Sequence, residues 1–268
     1  MSTTEAAIDP GIAGHDGRPL AIETRDVHKS FGSHKVLNGL NVQIPEGAAS
    51  VLLGPSGTGK SVLISHILGL LQPDQGEVLV HGRSLATMSR KEGLELRRDV
   101  GVLFQDGALF SSMNVYDNVA FPLRQHTDLT DAEAHELVMD ELQATGLEHA
   151  KDKLPGELSG GMKKRAGLAR ALVMNPSVLM CDEPDSGLDP VRTSLLAELL
   201  KERWEQLGCT LVVITHNMTL ARYVADHMCL LWKGKVIQNG SIEEIFASED
   251  EFVQQFIVGG IKGPLGMD

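Results

Sequence analysis

No stretch of this 268-residue chain approaches the roughly 18–20 consecutive apolar residues that a membrane-spanning helix needs, so any membrane role is expected to come through a partner. Cysteine is scarce. Cys181, Cys209 and Cys229 are scattered, each in an apolar run, with no CxxC or His/Cys ligand spacing around them. That pattern excludes a disulfide framework and a thiolate metal site, and reads as reduced core thiols in a cytosolic protein. Positive charge is short as well: 24 Lys and Arg stand against 36 Asp and Glu, a net charge of −12. Binding nucleic acid requires clustered cations to neutralise phosphates, so such a partner is excluded. The N-terminus lacks the basic start and apolar middle of a secretory signal. It is polar with Gly and Pro, and residues 1–19 are expected to form a disordered tail.

What is present is an ordinary globular composition, 42% hydrophobic and 22% charged, in a chain long enough for one large domain. From Leu20 onward short apolar runs alternate with helical patterns, the mark of an α/β domain. Strands are expected over AIETRDVHKSF, VLNGLNVQI, ASVLLG, GEVLVHG and VGVLFQ. The strand signal then stops, and about residues 106–174 read as an inserted helical subdomain. Within it Thr130 and Glu133 form a capping box ahead of an amphipathic helix. Strands resume with SVLMCDE, TLVVITH and MCLLWKG. The domain is expected to span residues 20–258, with 259–268 as a C-terminal tail.

Three motifs carry chemistry. Gly54, Pro55, Ser56, Gly57, Thr58, Gly59, Lys60 and Ser61 fit G-x-x-x-x-G-K-[ST] between an apolar strand and a helix, the context that motif requires. Its glycines let backbone N–H groups converge on phosphate oxygens at a helix N-terminus. Lys60 is expected to reach the β- and γ-phosphates, and the Ser61 hydroxyl to coordinate Mg²⁺. Second, the run from Val178 ends in Asp182 and Glu183, which puts two acids at the carboxyl edge of a sheet. Asp182 can hold Mg²⁺ through its water shell, and Glu183 can polarise an attacking water. Third, Ser159, Gly160 and Gly161 form a turn that opens a helix, a second anion-binding geometry.

With these residues in view, the chain resembles the ABC ATPase family, whose signature is LSGG[QE]; here Leu158-Ser159-Gly160-Gly161 is followed by Met162. The resemblance covers nearly everything from Leu20 onward. It implies a P-loop NTPase core with an inserted helical subdomain and an antiparallel β subdomain, ATP and Mg²⁺ as ligands, and hydrolysis between two facing copies. Gln105 is similar to the glutamine that senses the γ-phosphate and Mg²⁺, and His216 to the switch histidine at the γ-phosphate. Ser186-Gly187-Leu188-Asp189 resembles the loop that crosses the dimer interface. Phe31 stands where the family usually has a tyrosine stacked on adenine. Ser159 and Gly161 would then touch nucleotide held by the Lys60 of the other copy.

The segments GVLFQDGALFSSMNVYDNVAFPLRQHT, LSGGMKKRAGLARAL, CDEPDSGLDPVR and QQFIVGGIKGPLGMD further resemble the ATPases of Mce/Mla lipid-transport systems, the actinobacterial Mce-associated ATPase above all. That likeness implies membrane permease subunits as partners, Mce-type substrate-binding proteins indirectly, a homodimer, and residence on the cytoplasmic face of the inner membrane. Leu109, Phe110, Met113 and Val115 read either as an exposed apolar surface for the permease or as residues packed inside the helical subdomain. Two alternatives stand beside it. One is an ABC subunit for another substrate; the other is a soluble ABC protein of DNA repair or ribosomes, against which a single unit and an acidic balance both argue.

Overall fold

The structure is a computed structural model that describes residues 17–55 and 57–265. Most of the expected N-terminal tail, Ser56 of the glycine-rich loop and the last three residues of the C-terminal tail lie outside those residues. The chain begins with strands β1 (Leu20–Phe31), β2 (His34–Leu40), β3 (Gln43–Pro45) and β4 (Ala49–Leu53), then enters helix α1 (Lys60–Ile67). Strands β5 (Gln75–Val80) and β6 (Arg83–Ser84), helix α2 (Arg90–Arg98) and strand β7 (Val100–Leu103) follow. Helices α3 (Val115–His126), α4 (Asp131–Ala144) and α5 (Gly160–Leu172) come next. The chain then alternates through β8 (Val178–Asp182), α6 (Pro190–Leu207), β9 (Thr210–Thr215), α7 (Met218–Val224), β10 (His227–Trp232) and β11 (Lys235–Ser241). Helices α8 (Ile242–Phe246) and α9 (Glu251–Val258) close it.

The main sheet runs β11-β10-β4-β9-β8-β7, parallel except for β11 at one edge. A second, antiparallel sheet runs β2-β1-β5-β6, with β3 also paired to β1. The side-chain period of two explains how the layers meet. On β4, Ala49, Val51 and Leu53 pack with Leu168 of α5, Leu196 and Leu200 of α6 and Leu220 of α7. Leu52 points the other way, into a core shared with Ile22, Leu40 and Val80 of the antiparallel sheet and Leu63 and Ile67 of α1. With both faces covered, β4, β8 and β9 read as continuous apolar runs, as parallel strands do.

The helices α3, α4 and α5 bury a core of their own: Val119 and Leu123 of α3, Val138 and Leu142 of α4, Ala166 and Ala169 of α5. Their spacing of three or four residues is one stripe of an α-helix. Each helix is started by a side chain that accepts a free backbone N–H: Asn114, Thr130 with its reciprocal Glu133, and Ser159. Val115 belongs to this core and is fully buried, so for this residue the packed reading holds and the exposed one does not. The segment VLNGLNVQI is also two strands and not one. The Thr24 hydroxyl accepts from Val42 N at 2.8 Å and donates to Leu40 O at 3.1 Å, taking up ladder positions where β2 gives way to β3. Among the described residues no helix is long and apolar enough to cross a membrane.

Candidate active site

The parallel strands β4, β9, β8 and β7 end at one edge of the main sheet, and the glycine-rich loop, His216, the acid pair and Gln105 each follow one of them. Open parallel sheets bind ligands at this edge. After β4 the chain turns through Gly54 (φ 155°) and Gly57 (φ 80°) to Gly59 (φ 96°), which caps α1. A side chain at Gly54 would lie 2.4 Å from the Leu231 carbonyl, and one at Gly59 would lie 2.7 Å from Leu37 Cδ2, so the loop fits only with glycine there. Thr58 is buried and its hydroxyl donates to Pro55 O at 2.9 Å. The Lys60 ammonium donates to Gly54 O at 2.7 Å and Pro55 O at 2.8 Å, so the loop curls around it. Burial pushes the Lys60 pKa down, against the opposing pull of the Glu183 and Asp182 carboxylates.

Those acids close the other side. Burial pushes the Asp182 carboxyl up, and a hydrogen bond from the Ser61 hydroxyl counteracts that shift. Asp182 Oδ1 is buried with no partner, an oxygen left over for a cation beside the Ser61 hydroxyl. Among the described residues no three His, Cys, Asp or Glu side chains form a metal cluster. A hard cation held here would therefore take one carboxylate, one hydroxyl and oxygens of its own ligand, the donor set of a Mg²⁺–phosphate site. Glu183 has the left-handed φ of 45°, uncommon for a non-glycine residue, and its N–H donates to Ile214 O at 2.9 Å. His216 Nδ1 lies 3.7 Å from Glu183 Oε1. Gln105 Nε2 donates to Ser186 Oγ at 3.0 Å, which ties the loop after β7 to the loop after β8.

Other expected site residues lie apart from this cluster. Ser159 caps α5 by accepting from Met162 N at 3.3 Å, and a side chain at Gly161 would face Leu188 and Arg192. Gly160 is the first residue of α5 and has open space around it. Asp189 caps α6 by accepting from Arg192 N at 3.0 Å. A cavity of about 420 Å³ lies beside this turn, lined by Ser159, Gly161, Arg165, Leu188 and Arg192 among others. Phe31, half exposed, sits at the β1–β2 hairpin with the Lys29 ammonium 5.9 Å from its ring centroid. The three cysteines are free and buried, and burial pushes the Cys229 thiol up to about 12.

The structure also brings in residues that motif reading did not single out. Asp185 is buried and accepts from Thr215 Oγ1 at 2.9 Å, which fixes the residue just before His216. Lys164 is buried with its Nζ 3.4 Å from Glu183 O. Arg170 donates to the Gly107 and Ala108 carbonyls at 2.9 and 2.8 Å and holds the loop after Gln105. For Lys164 and Arg170 a cation on α5 is the available signal, and for Asp185 an acid two residues after Glu183, but the sequence does not give their partners.

The family model described as "ABC transporter" matches residues 37–186. The chain is 49% identical over 257 residues to "Probable ribonucleotide transport ATP-binding protein mkl" of Mycobacterium leprae (strain TN), covering 95% of this chain and 74% of that one. It is 40% identical over 244 residues to "Intermembrane phospholipid transport system ATP-binding protein MlaF" of Escherichia coli (strain K12), covering 91% of each. Among solved structures it is similar to the ATP-binding cassette MJ0796 in a dimeric post-hydrolysis state bound to ADP and Pi. The TM-score is 0.75 with 30% identity, over 82% of this chain and 98% of that one.

Proposed function

The chain belongs to the ABC transporter family as its ATP-binding, ATP-hydrolysing subunit, and from that premise we propose that it powers lipid movement in an Mce/Mla-type system. The convergence of Lys60, Asp182 and Glu183 at one strand edge is the observation that carries the chemistry. Backbone amides of the loop from Gly54 to Gly59 and the Lys60 ammonium bind and orient the β- and γ-phosphates of ATP. Ser61, Asp182 and Gln105 would hold Mg²⁺, which would neutralise charge on the phosphates. Glu183 takes a proton from the water that attacks the γ-phosphorus while the bond to the β–γ bridging oxygen breaks and ADP leaves, and His216 steadies the transferred phosphate from the β9 side. Phe31 supplies an aromatic face for adenine.

A second copy completes the site. Ser159, Gly160 and Gly161 of one subunit present the N-terminus of α5 to the nucleotide held by the other, and the turn ending at Asp189 lines the same interface. ATP thus joins the two copies and its hydrolysis releases them, a motion passed to membrane subunits. We assign the contact with those subunits to the helical segment of residues 106–174. There Phe110, 41% exposed, packs at a tilt against Phe121 with ring centroids 4.7 Å apart. Phe104 is exposed to the same extent nearby in sequence.

Support for lipid cargo is the 40% identity to the phospholipid-system ATPase over 91% of both chains. The name of the mycobacterial relative carries a second reading, ribonucleotide cargo. Purification of the full chain from detergent-solubilised membranes separates them. Lipid transport predicts co-purification of a permease and an Mce-domain protein; recovery of a permease without an Mce-domain protein contradicts it.

A further inference from the structure

Lys164 lies on α5, one helical turn beyond the Ser159–Gly161 turn, and is 4% exposed. Lysines are almost never so buried without a partner. Its Nζ is 3.4 Å from the Glu183 carbonyl oxygen, which also accepts from Ser186 N at 3.1 Å. The carboxylates of Asp185, Asp106 and Glu183 act on its charge from a distance, without a direct ion pair. They come from the two loops that follow β7 and β8, the loops joined by the Gln105–Ser186 hydrogen bond. Asp185 reaches onward to Thr215, the neighbour of His216.

The helix that carries Lys164 cannot slide independently of this site. A side chain at Gly167 would lie 2.9 Å from Gly107 Cα, and one at Gly107 would lie 2.7 Å from Lys163 O. Backbone therefore touches backbone where α5 crosses the loop after β7. Glu183, whose carbonyl meets the Lys164 ammonium, keeps a left-handed backbone, and such a conformation persists only where the surroundings over-determine it. Removing the ammonium would leave the Glu183 carbonyl with Ser186 N alone and withdraw one positive charge from the field at Asp185, Asp106 and Glu183.

We infer that Lys164 is a positioning residue for the Glu183 carboxylate, linking the turn that meets the other copy's nucleotide to the alignment of the base in its own subunit. The inference rests on the assignment of Glu183 as the base. It does not involve contact between Lys164 and nucleotide, so binding and turnover are separable.

The test uses the full chain with Lys164→Met, Lys164→Arg and Glu183→Gln side by side, measuring ATP turnover, KM, and MgATP-dependent dimer formation by size-exclusion chromatography. In Lys164→Met, kcat falls about 10- to 100-fold, the scale of a misplaced catalytic group, while KM stays within about twofold. The ATP-bound dimer still accumulates. In Lys164→Arg, which keeps the charge, kcat returns to within about threefold of wild type. A Lys164→Met protein with wild-type kcat, or one whose kcat loss matches its loss of folded protein, overturns the inference. If that variant does not fold, the same kcat-against-KM split in Lys164→Gln decides the matter. Wild-type turnover in Glu183→Gln instead overturns the base assignment itself, so the two failures are told apart.

Discussion

Asp182 gives a prediction whose sign opposes the usual effect of mutating an acid in a binding site. Its Oδ1 is buried without a partner, and burial pushes its carboxyl up. Asparagine sets an amide N–H where the orphaned oxygen stood, so the gain comes from removing a desolvated charge, and it is about 1 kcal/mol because Asp182 is only partly buried. Asp182→Asn keeps the shape and an oxygen that can accept from Ser61, while removing the charge. In EDTA and without nucleotide the variant should be more stable by about 1 kcal/mol, which is about 2–4 °C in Tm for a chain of this size. The pH dependence follows from the raised pKa. Above the ordinary carboxylate value the folded wild type binds more protons at this group than the unfolded chain, so its stability falls as pH rises through that window. The asparagine variant lacks this slope, and its advantage shrinks on acidification toward about pH 4. With MgATP the order reverses, because the wild type gains about 2.7 kcal/mol at a ligand concentration 100 times Kd and the variant holds the cation less well. Thermal unfolding with EDTA and with MgATP reads both arms. An asparagine variant that melts below wild type in EDTA would show that the carboxylate is structural and refute the reasoning.

Three further perturbations address separate parts of the site. Lys60→Ala removes the ammonium wrapped by the Gly54 and Pro55 carbonyls and should weaken MgATP binding by about 30-fold or more with unchanged circular dichroism; calorimetry showing wild-type affinity contradicts it. Phe31→Ala should cost about 1 kcal/mol of nucleotide binding while Phe31→Tyr is near neutral, and equal affinities for all three proteins would move the adenine platform elsewhere. Phe110→Asp should keep basal ATP turnover and lose co-purification with the permease, whereas full co-purification would refute docking through this ring.

What the sequence reveals here is what is local. The glycine-rich loop is read directly because its spacing, the preceding strand and the following helix are contiguous, and Thr130 with Glu133 marks a helix start for the same reason. A second capping box, Ser89 with Glu92 ahead of α2, carries equal local information and is hidden by the polar, charge-rich helix it opens. Val115 looks exposed when taken as part of a loop. Counted from the Asn114 cap, it begins the 115, 119, 123 stripe that fills the helical core. The strand order, with β4 between β10 and β9, is not local, since it depends on pairing between segments far apart in the chain. The same holds for Lys164 and Asp185, whose partners Glu183 and Thr215 arrive from 19 and 30 residues away.

The central claim is that Glu183 activates the attacking water in a site shared by two copies. Glu183→Gln keeps the size of the side chain and removes its charge. Its phosphate release from MgATP, measured beside size-exclusion chromatography of the same sample, tests that claim most directly. The account predicts release slower by about 100-fold or more and an ATP-bound dimer that persists through the column. A variant that remains monomeric in MgATP, or that releases phosphate at the wild-type rate, would contradict it.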